Sequence, residues 1–274
     1  MNVIIQPVNG LFNRLRAMIS SFILAKHLGR KIIVIWNREQ GTNCNFTDLY
    51  DAHPDIEVRE NTGFDYSNCD YFAGNSSGEQ PLVDAMLRSQ RDIFIKAGGN
   101  FRTLSVREHN NWKSWWYNQL KPKAEILEAA SKYDLSSTLG VHIRLTDRAG
   151  CMPALQDVDN KYINPAMRNY NKLYLTTDNM SIIPFFKKYN LIFYPKQEAN
   201  LNRNASNLEI MKIALIDWIL LSRCNKIIYS YDSSYSYEAC FPNKLSGSVE
   251  IELQHKRAAE VSPLHSINIL PLMF

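Results

Sequence analysis

The chain has 274 residues, of which 45% are hydrophobic and 21% are charged, as is typical of a globular protein rather than a disordered one. The formal net charge is only +4, and the aromatic residues do not alternate with basic runs, so the composition argues against a nucleic-acid-binding protein. No run approaches the roughly 18 apolar residues of a transmembrane helix, so no stable membrane insertion is expected.

The start of the chain and its cysteines bear on location. Met1 leads directly into an apolar run at residues 3–5, without the basic segment and cleavage site of a secretory signal. The five cysteines are widely spaced and form no C-x-x-C pair, which argues against a zinc site and against a disulfide framework. We therefore predict a cytoplasmic protein, and the length predicts about two domains.

The first 37 residues predict a strand–helix–strand unit. An apolar strand at residues 3–6 runs into a turn at 7–10, and Gly29 is expected to end the helix that follows. The apolar residues of that helix recur at helical spacing: Leu15, Met18, Ile19, Phe22, Ile23 and Leu24. A second strand at residues 31–36 is apolar throughout, which indicates a parallel sheet covered by helices.

The next segment is harder to assign. Residues 38–80 are rich in Asn, Asp, Gly and Ser and are predicted to form an irregular insertion. A strand is predicted at 91–97, followed by an aromatic helix at 112–120 and by a helix with Pro122 in its first turn. We expect these helices to connect the two domains.

The second half repeats the α/β pattern. Strands are predicted at 139–144, 173–176, 191–193 and 226–230, with helices at 181–189 and 208–222. The pattern fades after Asn243, in a tail that carries a basic patch at 255–257. The sequence thus predicts two α/β domains, at 1–120 and 121–274, with a cleft between them.

Polar loops follow four of the predicted strands. Ligands of open α/β sheets bind at the carboxyl ends of the strands, so these loops are the candidate site. They are residues 9–14, 146–148 (after the strand that ends at Arg144), 177–179 and 231–235. The first loop offers only Gly10 and lacks G-x-G-x-x-G, so a dinucleotide site is weakly supported.

His142 and Arg144 are the sharpest candidates. They point to the same side of an otherwise apolar strand, because side chains alternate along a strand. The planar guanidinium of an arginine matches phosphate oxygens. The alternative is a structural Arg144, paired with Asp147 or Asp178 to hold two loops together, and spacing alone leaves the two interpretations equally open.

Asp217 lies within the strongly apolar helix at 208–222, where a carboxylate needs a partner. It is either a structural partner of Arg144 or His142, or a receptor for a ribose or base. The other histidines are scattered and are predicted to be surface residues: His27, His53, His109, His255 and His265.

Five motifs follow one another along the chain, each at or beside a strand end. The motifs are Gly10-x-x-Asn13-Arg14, His142-x-Arg144 with Thr146-Asp147-Arg148, Leu175-Thr176-Thr177-Asp178, the helix around Asp217, and Ser233-Ser234-Tyr235. In this order, over residues 3–37 and 138–241, they resemble the fucosyltransferase superfamily, which includes α1,6-fucosyltransferases and protein O-fucosyltransferases.

The resemblance implies a GT-B fold, with two Rossmann-like domains whose parallel sheets face a cleft. The N-terminal domain would serve the acceptor side, and the C-terminal domain would bind the nucleotide sugar. It also implies GDP-fucose as co-substrate, inversion at the anomeric carbon and no required metal or other cofactor. The acceptor would be a carbohydrate or a glycoprotein.

The resemblance also implies roles for single residues. Arg144 would grip the diphosphate with support from His142, while Asp178 and Asp217 would contact or organise the guanosine. Phosphate would be bound by Ser233, Ser234 and Tyr235, and Asn13 and Arg14 would close on the donor beside Gly10. In the displacement mechanism we expect, Arg14 and Arg148 would add positive charge beside the departing diphosphate.

The chain departs from the superfamily pattern at three places. Phe12 replaces the glycine before the asparagine, Leu145 replaces a second arginine, and residues 149–152 lack the glutamate that is a candidate base in the α1,6 enzymes. The α1,6 assignment is therefore weaker than the superfamily assignment. Asp147 is the base we select, and the other candidates are Asp157, Asp159, Asp65 and Asp70.

Three other functions remain as alternatives. The same fold would serve another GDP- or UDP-sugar donor, or a non-catalytic sugar- or nucleotide-binding module. A phosphate-ester enzyme of the doubly wound class would need a carboxylate cluster for a metal, and the sequence shows none that is convincing.

Overall fold

The structure is a computed structural model, and it describes residues 1–39, 41–74, 80–145, 153–196, 208–231, 233–245 and 247–251. The chain divides into two compact units. The first comprises Met1–Glu128 and Asn202–Lys212, and the second comprises Ala129–Leu201 and Ile213–Phe274. The mixed α/β class and the two parallel sheets confirm the predicted fold class.

The first unit contains a five-stranded sheet of order β3-β2-β1-β5-β4, and every pairing recorded in it is parallel. Its strands are β1 (Asn2–Pro7), β2 (Lys31–Trp36), β3 (Ile56–Glu60), β4 (Cys69–Gly74) and β5 (Asp92–Ala97). Its helices are α1 (Leu11–His27), α2 (Gln80–Arg88), α3 (Val106–Gln119) and α4 (Ala124–Ser131).

The predicted strand–helix–strand unit of the first 37 residues is confirmed as β1, α1 and β2. Gly29 has a positive φ of 64°, as expected just beyond the end of α1. The prediction that residues 38–80 are irregular is wrong, because they contain β3 and β4. Both are edge strands with exposed residues, so they lack the continuous apolar run that marked β1 and β2.

The second unit contains a second five-stranded sheet of order β10-β9-β6-β7-β8, also parallel in every recorded pairing. The strands are β6 (Thr138–Ile143), β7 (Lys172–Thr177), β8 (Leu191–Ile192), β9 (Lys226–Ser230) and β10 (Val249–Ile251). The short helices α5 (Leu155–Val158), α6 (Asn164–Ala166) and α7 (Ile183–Phe186) join the first three of these strands. A π-helical turn, Asp159–Ile163, lies between α5 and α6.

The remaining α-helices of the described residues are α8 (Leu208–Arg223) and α9 (Ser234–Ala239). A Cβ atom at Gly140 of β6 would lie 2.9 Å from Leu221 Cδ1 of α8 and 3.0 Å from the Cys224 side chain. Glycine at that position therefore allows α8 to pack closely against the sheet. The central strand of this sheet, β6, is buried along its whole length, and the candidate site lies at its carboxyl end.

Candidate functional site

The end of β6 is tied to both neighbouring strands. The Arg144 backbone N–H donates to Ser230 Oγ of β9 at 2.9 Å, and the Leu145 N–H donates to Asp178 Oδ1 after β7 at 2.8 Å. Ser230 Oγ in turn donates to the carbonyl oxygen of His142 at 3.3 Å. The structure therefore brings His142, Arg144 and Asp178 together at the carboxyl end of the sheet, where sequence reasoning placed them.

His142 is a neutral imidazole in this site. It is buried, and no hydrogen-bond partner of its Nδ1 atom lies among the described residues. Burial is the main cause that lowers its pKa to about 3; the charges of Arg144 and Lys196 assist this lowering, and those of Asp178 and Asp217 oppose it. At neutral pH, His142 therefore offers hydrogen-bonding nitrogens without a charge, while Arg144 carries the positive charge.

Asp217 is buried below these strand ends with only 1% of its side chain exposed. One carboxylate oxygen accepts a hydrogen bond from Tyr174, and the other accepts one from Thr176 and forms an ion pair with Lys196. The prediction that Asp217 needs a partner is confirmed. Among the described residues, Asp217 forms an ion pair with Lys196, which sequence reasoning did not select.

The helix α9 begins at this end of the sheet. Ser233 is its N-cap residue, and its buried side chain accepts a hydrogen bond from the Ser236 N–H. Ser234 and Tyr235 are half-buried. The Tyr235 ring lies 5.0 Å from the His142 ring, and its hydroxyl lies 3.4 Å from Thr176 Oγ1. The structure therefore gathers Tyr235, which lies far from His142 in sequence, beside the end of β6.

The first unit carries the three other donor-site candidates. Gly10 precedes α1 as its N-cap residue, and its carbonyl oxygen accepts from the Arg14 N–H at 3.1 Å. Asn13 is half-buried in the first turn of α1. These residues lie together after β1, as expected for a strand-end loop.

Arg14 is fully buried in the first unit. Its guanidinium donates to the Asn9 and Asn37 carbonyl oxygens at 2.9 and 2.7 Å, and it forms an ion pair with Glu39 at 3.1 Å. It also lies 4.8 Å from the centre of the Trp36 ring. In this arrangement Arg14 holds the loops after β1 and β2 together, and its predicted contact with the donor stays a prediction.

The candidate bases differ in setting. Asp147, together with Thr146 and Arg148, lies outside the described residues. Asp159 is 1% exposed and is bound by Lys188 and by the Tyr189 hydroxyl, which leaves it poorly placed to accept a proton from a substrate. The remaining candidates, Asp157, Asp65 and Asp70, are exposed or half-buried.

Two of the histidine predictions are wrong. His53 and His109 are buried rather than on the surface, whereas His27 is exposed. His53 packs between the Phe22 and Trp116 rings. His109 is a buried residue of α3, and it was missed because the helix was predicted to begin only at residue 112, whereas it begins at Val106. His255 and His265 lie outside the described residues.

The described ranges hold no group of three or more His, Cys, Asp or Glu side chains arranged to bind a metal ion. None of the helices in this part of the chain combines the length and the apolar character needed to cross a bilayer. The cysteines Cys44, Cys69, Cys224 and Cys240 are free thiols.

Sequence comparison and structural comparison give different results. No protein-family model matches the chain, and no curated protein resembles it in sequence. Solved structures do resemble it. The NodZ α1,6-fucosyltransferase soaked with GDP-fucose is 18% identical, with a TM-score of 0.60 over 87% of this chain and 91% of that one.

Two other enzymes share the architecture. The Arabidopsis thaliana FUT1 mutant in complex with GDP is 13% identical, with a TM-score of 0.60 over 89% of this chain and 69% of that one. POFUT1 in complex with GDP-fucose is 10% identical, with a TM-score of 0.54 over 92% of this chain and 97% of that one. The chain therefore has the GT-B type of fold, with Rossmann-like parallel sheets, that these fucosyltransferases share.

Proposed function

We propose that the chain is a glycosyltransferase that takes fucose from GDP-fucose and transfers it to a hydroxyl group of a glycan or a protein. The observation that carries the proposal is the position of Arg144, at the carboxyl end of the buried strand β6 beside His142 and Asp178. The likeness to NodZ and POFUT1, both solved with GDP-fucose, supports the choice of donor.

The chemistry we propose is a single displacement with inversion. The acceptor oxygen forms a bond to the anomeric carbon as the bond between that carbon and the diphosphate oxygen breaks. Negative charge then grows on the departing GDP, and a cationic group fixed beside it stabilises the transition state by up to several kcal/mol. Arg144 supplies this charge without a metal ion, and the neutral His142 supplies a hydrogen bond.

The proton of the acceptor hydroxyl needs a receiver. We assign this role to Asp147, three residues beyond Arg144, and assign additional phosphate binding to Arg148. A positioned base contributes about 10²- to 10⁴-fold to such a reaction. Ser233, Ser234 and Tyr235 would contact the donor from the start of α9, and Gly10 and Asn13 would contact it from the loop after β1.

The domain roles belong to the same proposal. Residues 1–120 would bind the acceptor, and residues 121–274 would bind the nucleotide sugar across a cleft. The partners would be a nucleotide-sugar donor and a carbohydrate or glycoprotein acceptor, in the cytoplasm.

Arg144→Ala tests the proposal directly. We expect GDP release from saturating GDP-fucose, measured with and without acceptor, to fall by about 10²- to 10³-fold, the usual cost of removing a charge-stabilising donor. Arg168→Ala is the matched control, because Arg168 is exposed in the same unit. Wild-type turnover by Arg144→Ala would contradict the mechanism.

A panel of nucleotide sugars tests the donor. GDP-fucose should be consumed in preference to GDP-mannose and to UDP-sugars. Consumption of a UDP-sugar alone would replace the donor assignment, and tight GDP binding without turnover on any acceptor would replace the enzyme by a binding module.

A further inference from the structure

A buried ion pair lies directly beneath the proposed donor site. Lys196 and Asp217 form it with 10% and 1% of their side chains exposed. A buried charge pair of this kind is weak evidence for stability, because both ions lose their hydration. Its position below the strand ends that carry His142 and Thr176 calls for a different explanation.

Lys196 joins two elements of the second unit. Besides its ion pair with Asp217 of α8, its Nζ atom donates to the Thr177 carbonyl oxygen at 3.1 Å. Thr177 is the last residue of β7, immediately before Asp178. One side chain therefore ties the middle of α8 to the end of the strand from which Asp178 extends.

Asp217 has little capacity left for a ligand. Its oxygens are already bound by the Tyr174 hydroxyl, the Thr176 hydroxyl and the Lys196 ammonium group. A direct contact with a nucleotide base would have to displace one of these donors from a carboxylate that is almost fully enclosed. We therefore expect Asp217 to influence the donor site indirectly, through the residues that are bound to its carboxylate.

Thr176, one of the residues bound to Asp217, connects the carboxylate to the proposed donor site. Thr176 Oγ1, which donates to Asp217, lies 3.4 Å from the Tyr235 hydroxyl, and the Tyr235 ring lies against the ring of His142. The Tyr235 carbonyl oxygen accepts from Trp218 Nε1 of α8 at 3.0 Å. The backbone carbonyl of Tyr235 is therefore bound directly to α8, and its hydroxyl is connected to α8 through Thr176 and the carboxylate of Asp217.

We infer that Lys196 and Asp217 are positioning residues that hold Tyr235 and His142 in place for the nucleotide diphosphate, and that neither touches the nucleotide. This inference rests on the proposed function. It adds Lys196 to the residues on which donor binding depends, and it changes Asp217 from a receptor of guanosine to a support beneath the site.

The test compares single and double neutral variants. Lys196→Met and Asp217→Asn each leave one buried charge without its partner, so both should unfold at lower denaturant than the wild type. The double variant removes both charges and should recover most of that stability. Lys187→Met, at an exposed site of the same unit, is the matched control.

GDP affinity is measured on the same proteins by calorimetry. We expect each single variant and the double variant to bind GDP at least about tenfold more weakly than the wild type, the range expected when hydrogen bonds to a charged group are lost. Stability restored without affinity would exclude a purely structural role for the pair. A double variant that regains both would show a purely structural pair and would overturn the inference.

Inosine diphosphate separates positioning from base contact. It lacks the 2-amino group of guanine, so a carboxylate that binds this group should favour GDP. We expect Asp217→Asn to weaken both nucleotides by the same factor. Loss of the preference for GDP in this variant would show that Asp217 contacts the base, and a wild type that binds neither nucleotide would overturn the proposed function itself.

Discussion

Acid should destabilise the protein through its buried histidines, and His109 gives the clearest case. This residue of α3 is 2% exposed, and neither ring nitrogen has a hydrogen-bond partner among the described residues. Burial lowers its pKa to about 3, assisted by the charges of Lys113 and Arg102. The unfolded chain takes up a proton near pH 6.5, while the native state stays neutral, so stability is full above about pH 6.5 and is lost as pH falls towards about 3.

The magnitude follows from this difference in proton uptake. When the pH falls from about 7.5 to about 5.5, the protonated fraction of one such histidine in the unfolded chain rises from about a tenth to about nine tenths. This protonation stabilises the unfolded state by about 1.4 kcal/mol. His142, whose pKa is lowered to about 3 by burial, contributes a similar amount. The two together should therefore reduce the free energy of unfolding by about 3 kcal/mol over this range.

Urea unfolding at the two pH values measures the effect. His109→Gln should lose about 1.4 kcal/mol less than the wild type between them, whatever the substitution costs at either pH alone. His27→Gln, which removes an exposed histidine, is the matched control and should keep the wild-type difference. If His109→Gln loses as much as the wild type, His109 is not held neutral in the native state and the argument fails.

Two further predictions concern the first unit. Gly98→Ala should lower the free energy of unfolding by about 1–3 kcal/mol, because its Cβ would collide with the Asn9 amide and lie 3.0 Å from the Val8 carbonyl oxygen. Gly63→Ala, where a Cβ meets no atom within 4 Å, is the control in the same urea assay. Ser105→Ala removes the N-cap of α3 and its capping box, so it should cost about 1 kcal/mol, and a cost near zero would show that the box contributes nothing.

The elements that were predicted correctly are those with a strong local signal. The strands β1, β2 and β6 are largely buried and mostly apolar, as the interior of a parallel sheet requires, and α1 has a wide apolar stripe. The strands β3, β4 and β10 were missed, because edge strands need bury only part of their surface. Their pairing is decided by partners distant in sequence, which no local pattern reports.

The site shows the same division. The proximity of His142, Arg144 and Asp178 could be predicted, because each polar residue interrupts or follows an apolar strand. Lys196 was missed, since it lies in a polar stretch and meets Asp217 only through the packing of α8 on the sheet. A signal was present in β7, where Tyr174 and Thr176 place hydroxyl groups on one face of a buried strand and thereby indicate a polar partner opposite.

The pairing of β6 on both sides has a consequence for redesign. Hydrogen bonds to β7 on one side and to β9 on the other fix its register. A slip by one residue would turn Val141 and Ile143 towards the positions of His142 and Arg144 and would break both ladders at once. Exchange of side chains in the surrounding loops should therefore leave the alignment of β6 unchanged, which makes this sheet a suitable scaffold for directed evolution of whatever those loops bind.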